Sequence, residues 1–161
     1  MVWKMAERNA YELLSQLLVE EKGISPLPQM ARGEKGKPYF PTCPGLHFSL
    51  SHSGTLSLCV LSEGEVGCDI ELVRPRKESL PAYILDEKGL KWFRDRGSRW
   101  EDLYTLWTLK EARVKCTGEG LVLPVRDIAV PLLEPGESAE FDGFTFTALG
   151  GKGWRGAICQ K

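Results

Sequence analysis

The sequence predicts an α+β protein built on antiparallel strands. Two observations point there. A helix-period segment opens the chain, closely spaced alternating strands follow, then a long helical stretch, then strands again; this order argues against the regular alternation of a parallel βαβ sheet. The 161 residues, 42% hydrophobic and 27% charged, suffice for one domain with a real core. Net charge is −1, so no global field draws the chain to nucleic acid or to a membrane, and neither is expected as a partner. The five cysteines are scattered and lack C-x-x-C spacing. Cys59, Cys68 and Cys159 lie in apolar strand-like runs and read as buried reduced thiols, not as a zinc site or disulfide framework. No signal peptide precedes the first helix and no apolar run approaches membrane-spanning length, so a cytoplasmic location is expected.

Residues 5–22 place Ala6, Ala10, Leu13, Leu14, Leu17 and Leu18 at helical spacing, closed by Gly23. Gly36-Lys37-Pro38-Tyr39-Phe40 reads as a rigid extended piece, since Pro38 biases Lys37 away from helix. His47–Ser53 alternates: His47, Ser49 and Ser51 share one face, Phe48 and Leu50 the other. With Leu56–Leu61 and Val66–Glu71 it suggests a three-stranded meander over 46–71. Residues 79–96 and 99–116 read as helices, the second stopped by Gly118. Leu121–Val130 looks extended, and 141–149 and 154–160 are strand candidates, the first interrupted at Gly143.

The chemistry concentrates in Val66-Gly67-Cys68-Asp69-Ile70-Glu71. Alternation puts Asp69 and Glu71 on one face and turns Cys68 and Ile70 into packing. Two like charges at that spacing need a counter-charge, for which a hard divalent cation is suited; an edge strand with two acids on its solvent face is the other reading. Downstream, Glu111 and Lys115 share one helix face at i,i+4, with Trp107 extending the stripe; a solvated helix ion pair is the plain alternative. Lys37, Ser51 and His52 form a cationic, hydroxyl-bearing group able to hold phosphate by charge-assisted hydrogen bonds. No Ser–His–Asp or Cys–His arrangement supports hydrolase chemistry.

Gly36-Lys37-Pro38-Tyr39, Phe48-Ser49-Leu50-Ser51-His52-Ser53, Gly67-Cys68-Asp69-Ile70-Glu71 and Trp107-Thr108-Leu109-Lys110-Glu111-Ala112, continued by Lys115, Gly118, Gly120 and Leu121, stand in one order. Together they resemble the motifs of 4′-phosphopantetheinyl transferases of the Sfp type over roughly residues 6–161. The resemblance implies two pseudo-symmetric halves of antiparallel strands packed with helices, approximately 1–63 and 64–161 of one domain, the first truncated. It implies transfer of the phosphopantetheine arm of coenzyme A to a serine of an apo acyl or peptidyl carrier protein, releasing 3′,5′-ADP. A binding relative that holds coenzyme A or the carrier without efficient turnover is the alternative. Position by position, it implies Asp69, Glu71 and Glu111 as Mg²⁺ ligands, Glu111 as base, Lys115 at the leaving phosphate, and Lys37, Ser51, His52, Arg8 and Lys110 at the nucleotide end. Lys110 has a solvated lysine as its alternative, and Trp107 is expected to pack beneath the acids. Cys68 departs from the family pattern, and the basic N-terminal segment of larger members is missing. The site would therefore be minimal or completed by oligomerisation, as in the trimeric holo-acyl-carrier-protein synthases; monomer and homo-oligomer both stay open.

Acidic carrier helices need a basic landing site. From Arg74 to Arg99 there are eight Lys or Arg against four acids, with Leu80, Tyr83 and Ile84 among them. This makes Arg94, Arg96, Leu80 and Tyr83 the docking candidates, an ordinary charged helix face being the alternative.

Overall fold

The computed structural model describes residues 1–120 and 123–161. Its first sheet joins β1 (Val2–Glu7), β5 (Leu56–Ser62) and β4 (His47–Ser53) in the order β1-β5-β4, with helix α1 (Ala10–Lys22) on one face. The helix expected over 5–22 therefore starts later. Val2–Glu7 pairs in full with Leu61–Leu56, which satisfies its backbone as a strand. Asn9, whose side chain accepts the Tyr11 N–H, marks where helix begins. Leu13, Leu14, Leu17 and Leu18 bury against Phe40, Phe48, Cys59 and Leu61. A two-stranded ribbon, β2 (Ala31–Arg32) with β3 (Pro38–Tyr39), carries Gly36 and Lys37.

The second sheet has the order β6-β9-β8-β7: β6 (Val66–Leu72), β9 (Trp154–Gln160), β8 (Phe144–Gly151) and β7 (Ser138–Phe141). The expected meander over 46–71 is thus a hairpin, β4–β5, followed by a strand that crosses to the other sheet and pairs with β9. The interrupted strand over 141–149 is also a hairpin. Asp142 and Gly143 both take positive φ (52° and 77°), the two-residue turn that matches strand twist. The helical stretch 79–96 divides into α2 (Leu80–Ile84) and α3 (Glu87–Asp95), the latter capped by the Asp86 side chain. Helix α4 (Trp100–Thr117) ends where Gly118 adopts the left-handed conformation, as expected. Of the segment expected to be extended, Leu121 and Val122 lie outside the described residues, and Val125–Asp127 is a 3₁₀ turn.

Helices α2–α4 cover one face of the second sheet. The helix-free faces of the two sheets meet through Leu58, Val60, Val66, Cys68, Ile70, Leu149 and Ile158. The antiparallel α+β architecture with two similar halves is therefore present. The first half runs strand, helix, ribbon and hairpin, and the second runs strand, three helices and three antiparallel strands; in each, the last strand lies between the opening strand and the strand just before it. Cys59, Cys68, Cys116 and Cys159 are buried free thiols and Cys43 is partly exposed. No helix among the described residues is long and apolar enough to cross a membrane.

Candidate active site

The site forms where the halves meet, at the junction of β4, β6 and α4. Strands β4 and β6 run side by side, yet no backbone ladder joins them. The Ser49, Ser51 and Ser53 hydroxyls instead accept the N–H groups of Cys68 (3.0 Å), Ile70 (3.3 Å) and Leu72 (3.1 Å). Two of these hydroxyls also donate: Ser51 to Asp69 Oδ1 at 2.8 Å and Ser53 to Glu71 Oε2 at 2.8 Å. Asp69 and Glu71 do share a face, but that face lies under α4 and is not an open edge; Asp69 is buried.

Helix α4 can approach so closely because Gly67 has no side chain. A Cβ there would sit 2.2 Å from the Ala112 carbonyl oxygen and from the Cys116 nitrogen. That contact sets Glu111 and Lys115 over the carboxylates. Lys115 Nζ donates to Asp69 Oδ1 at 2.7 Å and to Ser51 Oγ at 3.0 Å, charge-assisted bonds within a largely covered site. Burial raises the pKa of Glu111, and the charges of Asp69 and Glu71 raise it further. The Lys115 ammonium and the Trp107 indole N–H pull the other way. Trp107 stacks on buried Tyr104 (5.6 Å between centroids) and packs against the main core beneath this group.

Asp69 Oδ2 is buried and has no hydrogen-bond partner. A desolvated carboxylate oxygen in that state is strongly unfavourable unless a cation or donor meets it. Asp69, Glu71 and Glu111 do not stand as a ready three-ligand cluster; no such group exists among the described residues, and serine and lysine partners hold Asp69 and Glu71. Mg²⁺ is usually held by one or two carboxylates plus substrate phosphates and water, so this oxygen-only set fits it.

The proposed nucleotide residues divide. Lys37 packs across Gly118 and donates to the Cys116 carbonyl at 2.5 Å, closing the end of α4; burial lowers its pKa. It lines a cavity of about 250 Å³ with Lys115, Leu50, Gly118 and Gly120. Ser51 is committed to the Asp69–Lys115 cluster. His52, exposed, turns to the opposite face of β4, opposite Ser57, whose hydroxyl donates to the Arg8 carbonyl. Arg8 itself bonds Gln16 at 2.8 Å. The Arg8 carbonyl and His52 thus both neighbour Ser57, away from the Ser51 face of β4, while the Arg8 side chain turns to α1.

Two expectations are corrected. Lys110 is neither solvated nor available to a nucleotide. It is buried and donates to the Val125, Arg126 and Ile128 carbonyls, fastening the 3₁₀ segment to α4. Arg96 is not a free docking charge: it pairs with Asp102 and Glu134 and lies over Trp92. Leu80 packs against the core, whereas Tyr83 is 73% exposed and Arg94 is exposed without an ion pair among the described residues. Ser53 was absent from the expected site. The signal was there: Ser49, Ser51 and Ser53 continue one period-two face.

Residues 65–155 match the family model of the 4′-phosphopantetheinyl transferase superfamily. The chain is 40% identical over 116 residues to the 4′-phosphopantetheinyl transferase AcpT of Salmonella typhimurium, covering 69% of this chain and 60% of that protein. It is 41% identical over 100 residues to AcpT of Escherichia coli K12 (59% of this chain, 51% of that protein). To 4′-phosphopantetheinyl transferase Sfp of Bacillus subtilis it is 31% identical over 106 residues (65% and 47%). The chain thus spans only about half to three-fifths of the length of these relatives. By its matched motifs and the architecture that carries them, the chain belongs to the 4′-phosphopantetheinyl transferase superfamily.

Proposed function

We propose that the chain transfers the 4′-phosphopantetheine arm of coenzyme A to a serine of an apo carrier protein, with Mg²⁺, releasing 3′,5′-ADP. The observation that carries this is the buried, unpartnered Asp69 Oδ2 beside Glu71, Glu111 and Lys115, in a junction that opens on a cationic cavity. Asp69 and Glu71, with Glu111, would hold Mg²⁺, which when bound neutralises pyrophosphate charge. Glu111, made more basic by burial and by two neighbouring carboxylates, takes the proton of the carrier serine. The serine oxygen forms its bond to the β-phosphorus of coenzyme A as the bond to the bridging pyrophosphate oxygen breaks. The electron pair leaves with 3′,5′-ADP, whose charge the Lys115 ammonium meets. Lys37 offers an ammonium to the nucleotide phosphates from the cavity wall, and Arg8 and His52 are the remaining candidates for them. Carrier docking is assigned to Arg94 and Tyr83, which are exposed on the α2–α3 side. A cytoplasmic setting, where coenzyme A and carriers meet, goes with this reading.

The test is intact-mass spectrometry of an apo carrier protein incubated with coenzyme A, Mg²⁺ and the full chain. The expected result is one phosphopantetheine mass added per carrier, lost with EDTA. Calorimetric binding of coenzyme A without any mass gain would replace the transferase with a binding protein.

A further inference from the structure

We propose that Ser53 is a positioning residue for Glu71, and that Ser51 and Ser53 of β4 together set the acids of β6 in place. This rests on the metal-dependent reading above. Three hydroxyls of β4 meet β6 at a constant offset of 19 residues, each accepting one backbone N–H. A hydroxyl has one proton to give. At 51 and 53 that proton goes to the carboxylate one residue earlier on β6, Asp69 and Glu71. At 49 the matching β6 position is Gly67, which has nothing to orient. The hydroxyl rows therefore separate two duties. All three replace a ladder bond between the halves; only two also aim an acid.

Both hydroxyls accept one backbone N–H of β6, but Ser51 is also bonded by Lys115, so its loss disturbs the whole cluster, whereas Glu71 is the only side chain that Ser53 bonds among the described residues. With Oε2 held by Ser53, the Glu71 carboxylate is fixed beside Asp69 and its second oxygen stays available. Without that hydroxyl, Glu71 regains the rotamers of a half-exposed side chain and is repelled by Asp69.

The test is Mn²⁺ binding to the full chain followed by electron paramagnetic resonance, with urea unfolding recorded in parallel. Ser53→Ala is expected to weaken Mn²⁺ about tenfold or more, the usual loss when a ligand's orienting partner is removed. Ser53→Thr, which keeps the hydroxyl, restores binding. Ser49→Ala removes the same kind of N–H acceptor and leaves Mn²⁺ affinity unchanged, which separates aiming from strand joining. Equal affinity for wild type and S53A, or a loss in S49A as large as in S53A, overturns the inference while leaving the transferase reading intact. A wild-type chain that does not bind Mn²⁺ at all overturns both.

Discussion

Lys110 shows how a single residue can look catalytic and prove architectural. It adjoins Glu111 in the motif, yet points away from it, because successive helix positions are about 100° apart. Its amine is buried among three carbonyls, which burial alone makes costly for the charged form; its pKa is pushed down to about 8. Lys110→Met should therefore leave three acceptors unpaired and cost about 3 kcal/mol in urea unfolding. The pH dependence has a definite sign. Between about 8 and the ordinary lysine value of 10.5 the unfolded chain keeps a proton that the folded chain has released. Unfolding free energy then rises with pH, so the wild type should gain on K110M across that window. A difference flat in pH would contradict it. At this scale the sequence exposed Asp69 and Glu71, since strand alternation is a local rule. It did not expose the fate of Lys110 or Arg96, because their partners, the 125–128 carbonyls and Glu134, are remote in sequence.

Among elements, the α4–β6 contact decides whether there is a site. Gly67→Ala would drive a methyl group into the backbone of Ala112 and Cys116, and neither rotamer change nor a flexible partner can relieve that. We expect a loss of about 3 kcal/mol in denaturant unfolding, with Glu111 and Lys115 lifted off β6 and transfer lost along with it. Wild-type stability in G67A would mean that α4 lies farther from β6 than a 2.2 Å approach to the added Cβ. The periodicities of α1, α4 and β9 were legible because each buries one continuous face. The first strand was hidden because Met5 and Ala6 also fit a helical pattern, and only pairing with β5 distinguishes the two. The meander failed for a related reason: short connections predict neighbours, but β6 leaves its hairpin for the partner sheet, and the serines that join it to β4 are not a ladder.

Over the whole molecule, the two halves repeat a plan and invert its charges. Glu20 in α1 and Lys115 in α4 each lie three residues before the capping glycine, Gly23 or Gly118. Each pairs with the strand that opens its half, Glu20 with Lys4 and Lys115 with Asp69. Gln16 stands where α4 has Glu111. The first half thus presents a lysine and an amide where the second presents carboxylates, so only the second is suited to a divalent cation. If the exposed Arg94 side is the proposed docking surface, Arg94→Glu should raise the carrier KM and flatten its salt dependence while sparing coenzyme A affinity. An unmoved carrier KM would place docking elsewhere. The Asp69 carboxylate, met by α4 at the junction of the halves, is the group on which the proposed transfer depends most. Asp69→Asn keeps an acceptor for Ser51 and nearly the same shape, so carrier mass analysis with coenzyme A and Mg²⁺ isolates the charge. Wild type should modify the carrier fully and a folded D69N not at all under the same conditions; modification by D69N at the wild-type rate would rule out that role for the carboxylate.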